Sequence, residues 1–162
     1  MRRPFEFSQL DYGVTAWSVW EGLSVGQTEK TDWGEPGDFE FSVAYGFAGD
    51  VMIELARHDS GTSIYQDWLT EKGPGPHHVG FRVADAAEYA AAERAYTARG
   101  VVKAMSGFIE GTGVGRGSVR WGYFDTRDAL GCYTEIYYID PELIEPMERM
   151  KRGEIVPPPQ WR

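Results

Sequence analysis

The chain has 162 residues, of which 42% are apolar, 14% aromatic and 25% charged. This composition is typical of one globular domain and excludes disordered, collagenous and coiled-coil chains. The formal net charge of −9 would repel a phosphate backbone, which argues against nucleic acid as a partner. One cysteine, Cys132, allows neither an intrachain disulfide nor a cysteine-rich zinc site. Because no apolar run is long enough to span a membrane and the basic start lacks an apolar signal core, we expect a cytoplasmic protein without membrane contact.

The first predicted elements are two strands that form a hairpin. Residues 39–45 alternate apolar with polar side chains, which is the pattern of a half-buried strand. A second strand at residues 51–55 follows a turn-like segment and is expected to pair with the first. In this second strand, Glu54 shares a face with Met52.

The middle of the chain predicts a helix, a strand and a second helix. Residues 63–71 form a plausible short crossover helix. Residues 77–83 alternate as a strand in which His77 belongs to the apolar face and His78 to the other, so the two side chains should point in opposite directions. Residues 85–99 begin with a capping box and continue as an alanine-rich helix.

A second hairpin is predicted near the end of the chain. Residues 118–124 and 132–139 read as its two strands. In the last strand Glu135 lies between Tyr133 and Tyr137 on one face. A carboxylate therefore shares its surroundings with two aromatic rings.

The two halves of the chain repeat one pattern. A pair of residues ending in tyrosine precedes a glutamate-containing strand at residues 44–45 and 53–55, and again at residues 122–123 and 135–136. In the later half a strand and a helix come before this pattern, whereas in the earlier half only twelve residues precede Gly13. The repeat predicts two related modules, the first of which lacks its leading strand.

Four motifs in this order resemble the vicinal oxygen chelate superfamily, which includes glyoxalases, methylmalonyl-CoA epimerases and bleomycin-resistance proteins. The motifs are MIEL at 52–55, GPGPHHVGFRVAD at 73–85, GYFDT at 122–126 and TEIYY at 134–138. The resemblance covers about residues 5–140 and implies an α+β fold in which paired βαβββ modules form a curved-sheet cup. It implies one domain over residues 1–140, with modules at about 1–60 and 74–140, followed by a helical extension and tail at 141–162.

The resemblance also implies a metal site. Members of the superfamily bind a divalent ion with one side chain from each of four strands, and three of those positions match Glu54, His78 and Glu135 here. The fourth position has no match in this sequence. The alternative for these residues is three half-exposed polar side chains on an open sheet. No nucleotide cofactor is expected, since the glycine-rich run at 111–117 lacks the ending of a phosphate-binding loop.

By the same resemblance, we expect a small-molecule isomerase or lyase that acts on a carbonyl compound. The abundance of aromatic residues suggests that this compound is hydrophobic or aromatic. Glu135 and Glu54 are the candidates for base or metal ligand, and His78 for ligand or proton carrier. Candidates for contact with the substrate are Tyr133, Tyr137, Asp38 and Glu40. The alternatives are a non-catalytic protein that binds or sequesters a small molecule in the same cup, and a degenerate module that serves in dimerisation.

The missing first strand predicts a homodimer. A sheet without that strand leaves a row of backbone groups unpaired, and a second subunit across a two-fold axis would cover both edges at once. We expect the N-terminal segment or the extension at 141–162 to pack near this edge.

Overall fold

The computed structural model describes residues 13–111 and 117–158. In chain order its elements are β1 (Ser18–Trp20), β2 (Thr28–Asp32), β3 (Glu35–Pro36), β4 (Glu40–Ala48), β5 (Val51–Ser60), α1 (Ile64–Lys72), β6 (His78–Arg82), α2 (Ala86–Thr97), β7 (Lys103–Ile109), β8 (Val119–Phe124), α3 (Arg127–Leu130), β9 (Tyr133–Ile139), a 3₁₀ turn (Pro141–Leu143) and α4 (Ile144–Lys151). The predicted N-terminal segment before Gly13, most of the glycine-rich run and the end of the tail lie outside the described residues.

The strands form two sheets. One has three strands in the order β1-β4-β5, and the other has six in the order β3-β2-β7-β8-β9-β6. Neighbouring strands are antiparallel except β6 and β9, which are parallel. With four α-helices in the described part of the chain, the α+β class is confirmed.

The later half forms a complete βαβββ unit. It consists of β6, α2, β7, β8 and β9, with the strands in the order β7-β8-β9-β6. In the earlier half, β1, β4 and β5 correspond to the last three strands of such a unit, and within the described residues no strand pairs with the outer edge of β5. The residues before Gly13, on which the predicted lack of a leading strand depends, lie outside the described part of the chain, so this point stays a prediction.

Several strands differ from the predicted elements. The predicted hairpin is present as β4 and β5, but both strands are longer, so that only Gly49 and Asp50 form the turn between them. The strand β7 was not predicted from the sequence. Residues on both of its faces are buried, so its apolar and polar side chains do not alternate. The hairpin of β2 and β3 extends the larger sheet through β7.

The main core lies between the two sheets and is rich in aromatic rings. The ring of Phe41 lies 5.4 Å from that of Tyr65 and 5.8 Å from that of Trp121, measured between centroids. Tyr65 and Trp68 belong to α1, and both are buried in this core. The crossover helix α1 therefore packs against both sheets at one end of the cup.

The helix α2 covers the outer face of the larger sheet. Its Tyr89 is buried with Phe124 of β8 and Ile136 of β9. A side chain at Gly122 would place its Cβ 2.5 Å from the Tyr89 hydroxyl, so the close approach of this helix needs glycine there. The strand β9, which carries Glu135, and its neighbour β8 thus have a fixed support.

The outer face of β6 differs from the prediction. The expected apolar side chains Val79 and Phe81 are 44% and 56% exposed. The reason is that β6 is the edge strand of its sheet, while α2 packs over β8 and β9. Apolar alternation identified the strand, but it did not identify which face is buried.

The C-terminal segment packs against the smaller sheet. The buried residues Leu143 and Met150 attach the last turn and α4 to the cup. Beyond α4, the backbone N–H of Val156 donates to Ser18 Oγ at 2.8 Å, and Trp20 Nε1 donates to the carbonyl oxygen of Val156 at 3.0 Å. No helix in the described residues is long and apolar enough to cross a membrane.

Candidate active site

A cavity opens between the two sheets. It encloses about 790 Å³ of empty space, including its open mouth. Its walls are mostly apolar and combine side chains of both sheets with others from α1 and α4. The aromatic contributors include Trp20, Tyr45, Tyr65, Trp121, Tyr123 and Tyr137.

Two carboxylates, one from each sheet, reach this cavity. Glu54 comes from β5 and Glu135 from β9, and His78 of β6 stands beside them. One ligand atom from each of the three residues lies within 4.8 Å of the other two. His78 Nε2 is 3.8 Å from Glu135 Oε2, and the two side chains are only 11% and 12% exposed. The structure therefore brings together the three residues predicted for the metal and acid–base site.

Strand pairing explains why the carboxylates face the cavity. Glu54 pairs with Tyr45 across the β4–β5 hairpin, and Glu135 pairs with Tyr123 across β8 and β9. On its other side Glu135 pairs with Gly80, where an added Cβ would lie 3.0 Å from Glu135 Oε2. The absence of a side chain at Gly80 leaves room for the carboxylate.

The apolar surroundings change the protonation of the site. Burial raises the pKa of Glu54 to about 7, and a hydrogen bond with Tyr45 acts in the opposite direction. Burial, together with the charge of Glu54, holds the pKa of Glu135 well above its ordinary value. Burial lowers the pKa of His78 to about 4. Near neutral pH, His78 is thus uncharged, Glu54 is poised to gain or lose its proton, and Glu135 holds a proton more tightly than an exposed carboxyl group does.

A pair of tyrosine hydroxyls adds a donor to the site. Tyr65 and Tyr123 both line the cavity, and their hydroxyl oxygens are 2.8 Å apart. Burial raises the pKa of both phenols well above the ordinary value, so both keep their protons. Since one hydroxyl donates to the other, the second proton of the pair is left to donate to an oxygen atom of a bound molecule.

The two neighbouring histidines do not point in opposite directions, contrary to the prediction. Their Nδ1 atoms are 3.1 Å apart, and both rings pack against Tyr123. His77 precedes the first residue of β6, so the alternation of that strand does not apply to it. Its ring lies between Trp68 and Tyr133, at centroid distances of 5.3 and 5.0 Å.

Of the predicted substrate contacts, Tyr137 lines the cavity. Tyr133 does not. Although it shares a strand face with Glu135, it is fully buried against His77 and against Trp68 of α1, where the helix closes that end of the cup.

The structure does not bring Asp38 and Glu40 to the cavity. Asp38 is exposed and accepts a hydrogen bond from the backbone N–H of Thr62 at 3.2 Å. Glu40 accepts one from the Ser60 hydroxyl at 3.3 Å. Both carboxylates connect the start of β4 with the end of β5, because the hairpin is longer than the sequence suggested.

The C-terminal extension contributes a group of cavity residues that were not predicted from the sequence. Leu143, Met147 and Met150 line the cavity from the last turn and α4. Their spacing of four and then three residues is the signature of one helix face. That periodicity was available in the sequence, but it does not say against which surface the face packs.

The donor set fits a divalent metal ion. Two carboxylates and one imidazole are ligands common to several divalent transition metals, and three protein ligands leave a position open for a substrate oxygen. Burial leaves the His78 imidazole uncharged, as a metal ligand must be.

Comparison with solved structures shows a similarity of fold, whereas comparison of the sequence with known proteins does not. No protein-family model matches the sequence, and no curated protein matches it. Among solved structures, the crystal structure of methylmalonyl-CoA epimerase from Mycobacterium tuberculosis is similar to this chain over 82% of this chain and 91% of that one. The sequence identity is 18% and the TM-score 0.44. A similarity at this level assigns neither a family nor a reaction.

Proposed function

We propose that the protein is a small-molecule isomerase or lyase of the vicinal oxygen chelate type, acting on a hydrophobic carbonyl compound. The observation that carries the proposal is the juxtaposition of Glu54 and Glu135, supplied by two different sheets, in a mostly apolar cavity. Burying a carboxylate lowers the stability of the folded chain, because the charged group loses its hydration. A site that has two buried carboxyl groups with unequal proton affinity is suited to acid–base catalysis.

The two carboxylates can divide the work of one proton transfer. Ionised Glu54 takes the proton from the carbon next to the substrate carbonyl, and the electron pair of that bond moves into an enolate. Protonated Glu135 then returns a proton to the opposite face of the same carbon, which gives an isomerase. If the reaction is that of a lyase, the enolate electrons instead expel a leaving group from the neighbouring carbon, and Glu135 protonates that group. The free proton of the Tyr65 and Tyr123 pair stabilises the negative charge on the carbonyl oxygen.

Glu54, Glu135 and His78 are also the residues that would hold a divalent metal ion. When bound, the ion would supply Lewis-acid stabilisation of the substrate oxygen. Thermal unfolding measured with and without Mn²⁺, Co²⁺ or Zn²⁺ tests this part of the proposal, because an ion bound only by the folded chain raises the melting temperature.

Proton exchange in deuterium oxide tests the reaction without knowledge of the natural substrate. The probes are propiophenone, phenylacetone and α-dimethylaminoacetophenone, and proton NMR follows the loss of the signal from the carbon next to the carbonyl. We expect enzyme-dependent exchange with at least one probe and a decrease of about 100-fold or more in the variant Glu135→Gln, which keeps the shape and removes the acid.

The matched control is Glu40→Gln, which removes a carboxylate outside the cavity. It should leave the exchange rate within about twofold of the wild type. Exchange that is unchanged in Glu135→Gln would contradict the acid–base role.

A non-catalytic binding protein is the second candidate. The mostly apolar wall favours it, because such a wall binds a hydrophobic molecule without any proton transfer. Tight binding of a probe by the wild type with no exchange above the uncatalysed rate would support this candidate and exclude the first.

We also propose that the protein is a homodimer. The support is the unpaired outer edge of β5 among the described residues, together with the exposed apolar side chains of the edge strand β6.

A further inference from the structure

The ionisable groups of the cavity wall, among the described residues, are all acidic. Glu54 and Glu135 line the cavity, whereas no lysine, arginine or histidine lines it in the part of the chain that the structure describes. Arg82 lies near enough to lower the pKa of Tyr137, but its residue is exposed and does not line the cavity. An anionic ligand would therefore meet two carboxyl groups and no fixed positive charge on the wall.

Two tryptophans, Trp20 and Trp121, line the cavity. Trp20 donates its indole N–H to the carbonyl oxygen of Val156, and Trp121 donates its own to Gln27 Oε1 at 3.2 Å. Both indole donors are thus occupied within the protein. What remains for a ligand is the π surface of these rings and of their tyrosine neighbours, such as Tyr45, whose ring centroid is 5.1 Å from that of Trp20.

Aromatic ring surface beside carboxylates is the arrangement that recognises an organic cation. The ring quadrupole attracts a positive charge, and tryptophan does so most strongly among the aromatic side chains. A carboxylate supplies the counter-charge, and apolar walls accommodate the hydrocarbon body of the ligand. The overall charge of −9 further favours the approach of cations.

From these observations we infer that the cavity, when no metal ion occupies its carboxylates, selects a hydrophobic organic cation, an amine or quaternary ammonium compound with an apolar body, over neutral and anionic molecules of the same shape. This names the substrate class of the site and rests on the proposed function only in taking the same cavity as the site. The positive group lies near Glu54 and Glu135, and the apolar body packs against α4.

Binding of three probes of similar size tests the inference. The cation is benzyltrimethylammonium, its uncharged isostere is neopentylbenzene, and the anion is benzenesulfonate. The protein is first dialysed against a chelator so that no metal ion occupies the carboxylates, and the fluorescence of its tryptophans is titrated. We expect the cation to bind at least about 10-fold more tightly than the neutral isostere, and the anion to bind most weakly. Equal or tighter binding of the neutral probe or of the anion would overturn the inference.

Variants show whether the carboxylates cause the preference. The double variant Glu54→Gln, Glu135→Gln should reduce the preference for the cation to twofold or less while leaving the affinity for neopentylbenzene within about threefold of the wild type. The control Glu40→Gln should keep the full preference. If the double variant keeps the full preference as well, the inference is wrong; if the variant does not fold, the wild-type comparison of the three probes still decides.

The two proposals can fail separately. Exchange of propiophenone without preferential binding of benzyltrimethylammonium would leave the reaction standing and overturn the cation class. Preferential binding of the cation without exchange of any carbonyl probe would overturn the proposed reaction and leave the cation class standing.

Discussion

The carboxylates of the cavity are held in surroundings that oppose their ionisation. Glu135 is 12% exposed at its side chain, and its nearest ionisable neighbours are an uncharged imidazole and a second carboxyl group. Such an arrangement lowers stability at any pH at which the groups must ionise. In the proposed reaction, this arrangement keeps one proton available for donation and another carboxylate ready to accept.

The raised pKa of Glu54 predicts that stability falls as the pH rises. Between its ordinary value of 4.5 and its folded value of about 7, the folded chain holds a proton that the unfolded chain has lost. The free energy of unfolding therefore decreases across this window, by about 3 kcal/mol for this group alone.

Urea unfolding at pH 5 and pH 8 measures this effect. We expect the difference in unfolding free energy between the two pH values to be smaller in Glu54→Gln than in the wild type. At pH 8 the variant should be more stable than the wild type. An equal difference in both proteins would contradict the assigned burial of this carboxyl group.

The two histidines are predicted to differ in what they contribute. His77 is enclosed by aromatic rings, so His77→Ala should lower the free energy of unfolding by about 2–4 kcal/mol through the lost packing. His78→Ala should instead abolish the rise in melting temperature that a divalent ion produces.

The same two measurements, urea unfolding and the metal-dependent melting temperature, are made on both variants. The reverse pattern, with metal stabilisation lost in His77→Ala and kept in His78→Ala, would mean that the wrong histidine has been assigned to the site.

At the scale of elements, the shape of the cavity depends on close contacts between strands. Gly107 of β7 pairs with Trp121 of β8, and the indole of Trp121 extends across this glycine toward Gln27 of the loop before β2. The ring that forms part of the cavity wall is thereby positioned by the absence of a side chain on the neighbouring strand.

Gly107→Ala is predicted to displace this ring. The added Cβ would lie 2.7 Å from Trp121 Cζ2 and 2.6 Å from Gln27 Oε1, both of them buried. We expect a loss of about 1–3 kcal/mol in unfolding free energy and weaker binding of any cavity ligand, measured by urea unfolding and by titration of tryptophan fluorescence.

The matched control is Gly75→Ala, at an exposed site where an added Cβ meets nothing within 4 Å. It should leave stability unchanged or raise it slightly. Equal effects of the two substitutions would show that the contact between Gly107 and Trp121 is not what positions the ring.

At the scale of the whole molecule, the C-terminal segment packs against the smaller sheet and completes one wall of the cavity. The helix α4 contributes to the cavity wall, and Val156 is hydrogen-bonded to both ends of β1. The edges of the two sheets are less well covered, since β5 and β6 each have one unpaired side among the described residues.

The unpaired edges predict a homodimer in solution. Light scattering at micromolar concentration should give twice the 18.2 kDa of one chain. A mass of one chain together with unchanged binding of cavity probes would contradict the proposal and mean that the chain closes its own sheet edge.

The sequence by itself determined much of the local structure. Alternation over two residues placed Glu54 and Glu135 on the inner faces of β5 and β9, and a capping box marked the start of α2, where Asp85 Oδ1 accepts from the N–H groups of Ala87 and Glu88. These features depend on near neighbours in the chain, so the periodicity of side chains and the chemistry of turns are sufficient to predict them.

Only the tertiary structure decided which of these residues meet. Glu54 and Glu135 are on different sheets, and the distance between them depends on how the sheets curve and pack, which no local pattern contains. The packing of distant segments also places Tyr133 in the core, Asp38 and Glu40 outside the cavity, and α4 in the cavity wall. A strand's period fixes the side on which a residue lies, whereas the packing of distant segments fixes what it faces there.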